Sequence, residues 1–124
     1  MPVAYWCILI AALLPLVWVG YAKSGAKDNN TPRDDAEKLA GGKRRAYAAH
    51  QNAYENFPFF AVAVMAALSF GASPGTVDWL AALYIAFRVA HGLLYVADKS
   101  SLRSMAYAGA LFANIAIFVL PAFK

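Results

Sequence analysis

Glu55 and Arg88 stand inside stretches of sequence that are otherwise apolar. Of the chain's 11 Lys and Arg and 7 Asp and Glu, only Glu55, Asp78 and Arg88 fall within its long apolar runs, Asp78 at the edge of one. A lone charge at mid-bilayer costs at least about 2.5 to 3.5 kcal/mol on insertion scales, so such residues face a protein interior or a wet cavity and find partners. Further polar groups recur around them at helical spacing. Arg45, Asn52 and Glu55 are seven and three apart with Asn56 one further, and Arg88, His91 and Tyr95 run i, i+3, i+7. Arg103 and Tyr107 are i, i+4, with Ser104 three before the tyrosine.

Such a set suits a small anionic ligand beside a greasy one. Arg45, Arg88 and Arg103 can each bind a carboxylate bidentately, Glu55 can take an ammonium, and Ser104 with Arg103 can stabilise a thiolate or oxyanion. A blander account makes Glu55 and Arg88 a buried ion pair that fixes helix register. Tyr47, Trp79 and Tyr107 read equally as interfacial anchors, Lys43 and Arg44 as topology determinants, and Cys7 as a small packing residue. His50 and His91 are the only axial pair for a haem, and they lie at different depths.

The elements that must position these groups follow from composition. The 124 residues are 61% hydrophobic and 15% charged, too apolar for an ordinary soluble domain. With 15% aromatics and one cysteine, disorder and a disulfide scaffold are excluded. Charge-free or nearly charge-free runs predict membrane helices over 2–22, 47–70, 77–97 and 104–123, each near the roughly 20 residues that span a bilayer. The first run has no basic residue ahead of it and no convincing small-x-small site, so it reads as a helix rather than a cleaved leader. Tight turns at 71–76 and 98–103 and a polar linker at 23–46 give an all-α, up-down four-helix bundle in a single domain, 1–124. Within the linker, Thr31 to Lys38 reads as an interfacial loop with the makings of a helical turn.

Basic residues gather in the first linker and the third loop, which places both termini outside the cytoplasm and explains the net charge of +4 without a nucleic-acid partner. Glu55 and Arg88 then sit at matching depths, about 14 to 15 Å from the cytoplasmic edge, and are expected to pair. No P-loop, CxxC or HExxH pattern is present, and no metal site is expected.

The segment Arg45–Phe60 resembles the signature of the MAPEG family, the membrane-associated proteins in eicosanoid and glutathione metabolism. The pattern R-x-x-x-A-[HQ]-x-N-x-x-E-x-x-P-x-F is met by Arg45, Ala49, His50, Asn52, Glu55, Pro58 and Phe60. Arg88, His91 and Tyr95, followed by Leu102, Arg103, Ser104 and Tyr107, look like the third and fourth helices of the prostaglandin E synthase branch, while the Glu-x-x-Pro spacing looks more like the leukotriene-forming synthase. The resemblance implies a homotrimer with glutathione bound between subunits. It assigns Arg45, His50, Asn52, Glu55, Arg88, His91, Tyr95 and Tyr107 as ligand contacts, with Arg103 and Ser104 nearest the sulfur. The sequence departs from the family at Ala48 or Ala49, where several glutathione-using members carry a second arginine.

The expected function is a glutathione-dependent transferase or peroxidase, in which glutathione as co-substrate attacks a lipophilic electrophile from the bilayer. The alternatives are a non-catalytic lipid-binding or scaffolding trimer of the same fold and, more remotely, a bis-histidine haem or quinone protein. The charge pattern and short chain suit a multi-pass protein of a bacterial inner membrane.

Overall fold

The computed structural model describes residues 1–24 and 40–123. Among the described residues four helices follow one another: α1 (Val3–Lys23), α2 (Gly41–Ser69), α3 (Pro74–Val96) and α4 (Ser100–Val119), closed by a 3-10 turn, Leu120–Phe123. α1, α3 and α4 with its closing turn are long and apolar enough to cross a membrane. α2 is the longest and the most polar, because it carries Lys43, Arg44, Arg45, His50, Asn52, Glu55 and Asn56 between its start and its middle turn. It starts at Gly41, six residues before the expected Tyr47, so that 41–46 of the expected linker are helical and Lys43–Arg45 lie on α2 itself. The segment Thr31 to Lys38 lies outside the described residues.

Two turns set the register of the polar groups. α2 ends with Gly71 at φ 84°, the Gly71 amide on Leu68 and the Ala72 amide on Ala67, a left-handed cap that glycine enters without a Cβ clash. α3 ends in the same way, with Asp98 at φ 62° and amides of Asp98 and Lys99 on the carbonyls of Tyr95 and Leu94. Aspartate is among the few side chains that tolerate this region. The chain then re-enters helix at once, the Arg103 amide bonding to Lys99. The last turn of α3, bearing Tyr95, is thereby brought beside the opening of α4, bearing Arg103 and Ser104.

Small residues let the helices approach. The core is built around Ala4, Cys7, Ala11, Phe60, Ala63, Val64, Ala67, Val77, Ala81, Tyr84, Ala110, Ala113 and Ile117, with Phe60 and Tyr84 stacked face to face at 4.0 Å. Cys7 is one of these packing residues, as expected. Gly92 on α3 faces the Trp18 indole of α1 so closely that an added Cβ would lie 2.1 Å from its Cζ2, and a Cβ on Gly109 would meet Phe87 at 2.6 Å. At the other end of the bundle, the Asp78 carboxylate of α3 accepts the Ala4 amide of α1 at 2.8 Å, satisfying one of the amides that a helix start leaves unpaired. Trp6, Leu13, Leu16, Val62, Trp79, Phe112 and Phe118 are exposed, an apolar exterior that suits lipid.

Candidate functional site

Arg88 is 4% exposed and its Nη2 donates to Asn52 Oδ1 at 2.7 Å, so the guanidinium of α3 is held by a neutral amide of α2. The expected Glu55–Arg88 pair does not form. Glu55 is exposed and lines the groove between α1 and α2, a residue at i+3 lying about 60° from Asn52 around the helix. Asn56, at i+4, turns the other way and joins the inner face. Its Nδ2 donates to the Asn52 carbonyl at 2.8 Å, and its Oδ1 accepts from the Tyr107 hydroxyl of α4 at 3.4 Å.

Three helices thus feed one polar strip at the end of the bundle where the basic residues gather. His91 is buried, edge-on to Tyr95 and tilted against Tyr107, with ring centres 5.6 and 5.9 Å away. The Arg103 guanidinium lies over the Tyr95 ring at 4.3 Å, a cation–π contact that leaves its edge donors free to meet an anion. Asn52, His91, Tyr95, Arg103, Ser104 and Tyr107 line one cleft of about 270 Å³. Among the described residues no carboxylate lines it, and Arg103 is the charged group on its wall.

His50 and Glu55 belong to a second surface. With Lys23, Tyr47, Gln51 and Tyr54 they line an open groove of about 570 Å³ between α1 and α2, on the outside of the bundle. His50 Nδ1 lies 2.9 Å from the carbonyl of Pro15, which ties α2 to α1. Arg45 lines neither hollow. Its Nε donates to the Val96 carbonyl at 3.0 Å, closing an orphan carbonyl at the end of α3. Tyr47 is buried against Ala22 and Ala46 rather than anchored at an interface, and Trp79 is 80% exposed.

Of the residues singled out by spacing, the structure therefore gathers Asn52, Arg88, His91, Tyr95, Arg103 and Tyr107 along one strip with Ser104 exposed at its mouth, and places His50 and Glu55 on the outer groove. Spacing missed Tyr84 and Asn114, which extend the inner strip away from the basic end. Each had a signal: Tyr84 is one turn before Arg88, and Asn114 is an amide in an apolar helix two turns after Tyr107. Among the described residues no group of three or more His, Cys, Asp and Glu could hold a metal ion.

Comparison with curated proteins gives no match. The family model described as MAPEG family matches residues 3–123. That match spans all four helices, including the strip on α2, α3 and α4 and the apolar exterior that surrounds it: the chain is a multi-pass membrane protein of the MAPEG family.

Proposed function

We propose that the protein is a glutathione-dependent membrane transferase or peroxidase. The observation that carries this reading is the cleft of Asn52, His91, Tyr95, Arg103, Ser104 and Tyr107, which sets one guanidinium among three hydroxyls beside an apolar exterior. Glutathione brings two carboxylates, one ammonium and a thiol. Arg103 on the cleft wall suits a carboxylate, Arg88 behind Asn52 adds positive charge from the interior, and Glu55 suits the ammonium.

At about 270 Å³ the cleft is smaller than the 300 to 1,000 Å³ usual for ligand pockets, and Glu55 faces the outer groove. Both facts support a homotrimer in which the α1–α2 groove of one copy abuts the α3–α4 cleft of the next. In this reading Arg103 and Ser104 stabilise the thiolate left when the thiol proton departs to solvent. The thiolate sulfur then forms a bond to a lipophilic electrophile as its leaving group departs. With a hydroperoxide, it takes the terminal oxygen as the alcohol leaves, and a second glutathione yields the disulfide and water. The basic end faces the cytoplasm, the termini lie outside it, and a bacterial inner membrane fits this pattern.

One observation favours a second reading, a non-catalytic trimer that binds lipid. Ala49, 1% exposed, is packed with Trp18 and Ala53 and leaves no room for a further arginine. A thermal-shift titration of the detergent-purified protein with reduced glutathione separates the two, because a ligand that binds the folded state raises its melting temperature. A saturable rise, lost in Glu55→Ala and Arg88→Ala, together with loss of aryl halide conjugation in Arg103→Ala and Ser104→Ala, is expected. No rise at millimolar glutathione overturns the transferase reading in favour of the lipid-binding one.

A further inference from the structure

Further from the basic end than the cleft, the bundle holds a polar group with nothing to bond. Asn114 of α4 is 3% exposed, and its side-chain oxygen meets no donor among the described residues. In an apolar helix a bare amide oxygen is costly, since no bulk water reaches it. Asn114 lies on the Tyr107 face of α4, and both line a cavity of about 10 Å³ with Asn56, Tyr84 and Arg88. That volume is about one water molecule, and a water persists in an interior where two to four polar groups surround it.

The donors and acceptors of the cavity complement one another only through such a bridge. Arg88 carries five N–H donors, and the hydrogen bond it makes here is with Asn52. Asn114 contributes an acceptor without a donor. A water accepts from the guanidinium and donates to Asn114 Oδ1 and to a tyrosine oxygen. We propose that one structural water is held between Arg88, Asn114 and the Tyr84–Tyr107 side of this cavity, and that Asn114 acts through it as a positioning residue for the Arg88 guanidinium. The site hydrates a buried cation that has no carboxylate beside it among the described residues. It stands whatever anion the neighbouring cleft takes.

A map of the ligand-free protein in lipid, at a resolution that resolves waters, should show a peak within about 3.2 Å of Asn114 Oδ1 and of at least two other polar groups of the cavity. An empty cavity overturns the proposal. Thermal unfolding gives an independent readout with a sign. Asn114→Leu should lower the melting temperature by several degrees in the parent protein and have little effect in an Arg88→Met background. If Asn114→Leu instead raises the melting temperature equally in both backgrounds, the amide is merely an unpaired group and positions nothing.

Discussion

The bond between Asn52 and Arg88 makes a measurable demand on stability. Asn52→Leu keeps the side chain's approximate volume and removes the oxygen that accepts from Arg88 Nη2 at 2.7 Å. Neutral hydrogen bonds between membrane helices average about 0.6 kcal/mol, with a maximum near 1.7. This one is charge-assisted and short, and at 4% exposure the guanidinium cannot turn to bulk water, so a cost of about 1.5 to 3 kcal/mol is expected. At 1.4 kcal/mol per decade that is roughly a 10- to 150-fold rise in the unfolded population. Reversible unfolding in mixed micelles measures it for Asn52→Leu, Arg88→Met and the double variant. With Arg88 gone, the leucine has no cation to strand, so the cycle should close with a coupling of about 1.5 to 3 kcal/mol. Additive single effects, with a coupling below about 0.5 kcal/mol, would refute the view that a neutral amide is what holds this charge.

Other consequences are as concrete. Gly92→Ala drives a methyl into the Trp18 ring and should cost about 1 to 3 kcal/mol in the same assay, with Trp18→Leu restoring most of the loss. Asp78→Ala removes the acceptor of the Ala4 amide and a negative charge at the start of α1, for a loss of about 0.5 to 2 kcal/mol, whereas Asp78→Asn should retain part of the cap. Arg45→Met unpairs the Val96 carbonyl and should destabilise by about 1 kcal/mol, while any glutathione-induced thermal shift persists, since Arg45 lines neither hollow.

Apolar run length and turn residues were enough to place four helices and their antiparallel order, because a bilayer imposes both length and composition on what crosses it. Height along each helix was also legible: Arg88 bonds to Asn52 and shares a cavity with Asn56, so it stands level with the turn that carries Glu55. Angle was not. Asn52, Glu55 and Asn56 fall within about a turn and a half, and which of them faces α3 depends on how α2 is rotated by its buried residues, Ala49, Ala53 and Phe60 setting the inner face. Asn56 therefore took the inner place expected of Glu55. The start of α2 was misplaced for a related reason. Lys43, Arg44 and Arg45 look like linker when scored for apolarity, yet as helical residues they extend past the apolar zone, Lys43 over the Tyr21 ring and bonded to Ser24, Arg44 over Tyr47. Asn114 escaped notice because one amide in an apolar run looks tolerable until its surroundings are known.

The Asp78 cap bears on how the chain is made. α1 leaves the ribosome well before Asp78 does, so throughout the synthesis of α2 the opening turn of α1 has amides without the acceptor that will close them. Trp18 likewise waits for the notch at Gly92. The first helix, apolar enough to enter the bilayer by itself, thus gains its packing partner only when α3 arrives alongside it. Nascent chains arrested before Asp78 should hold α1 in the bilayer but leave it open to proteolysis, and protection should rise in one step once Gly92 has been inserted.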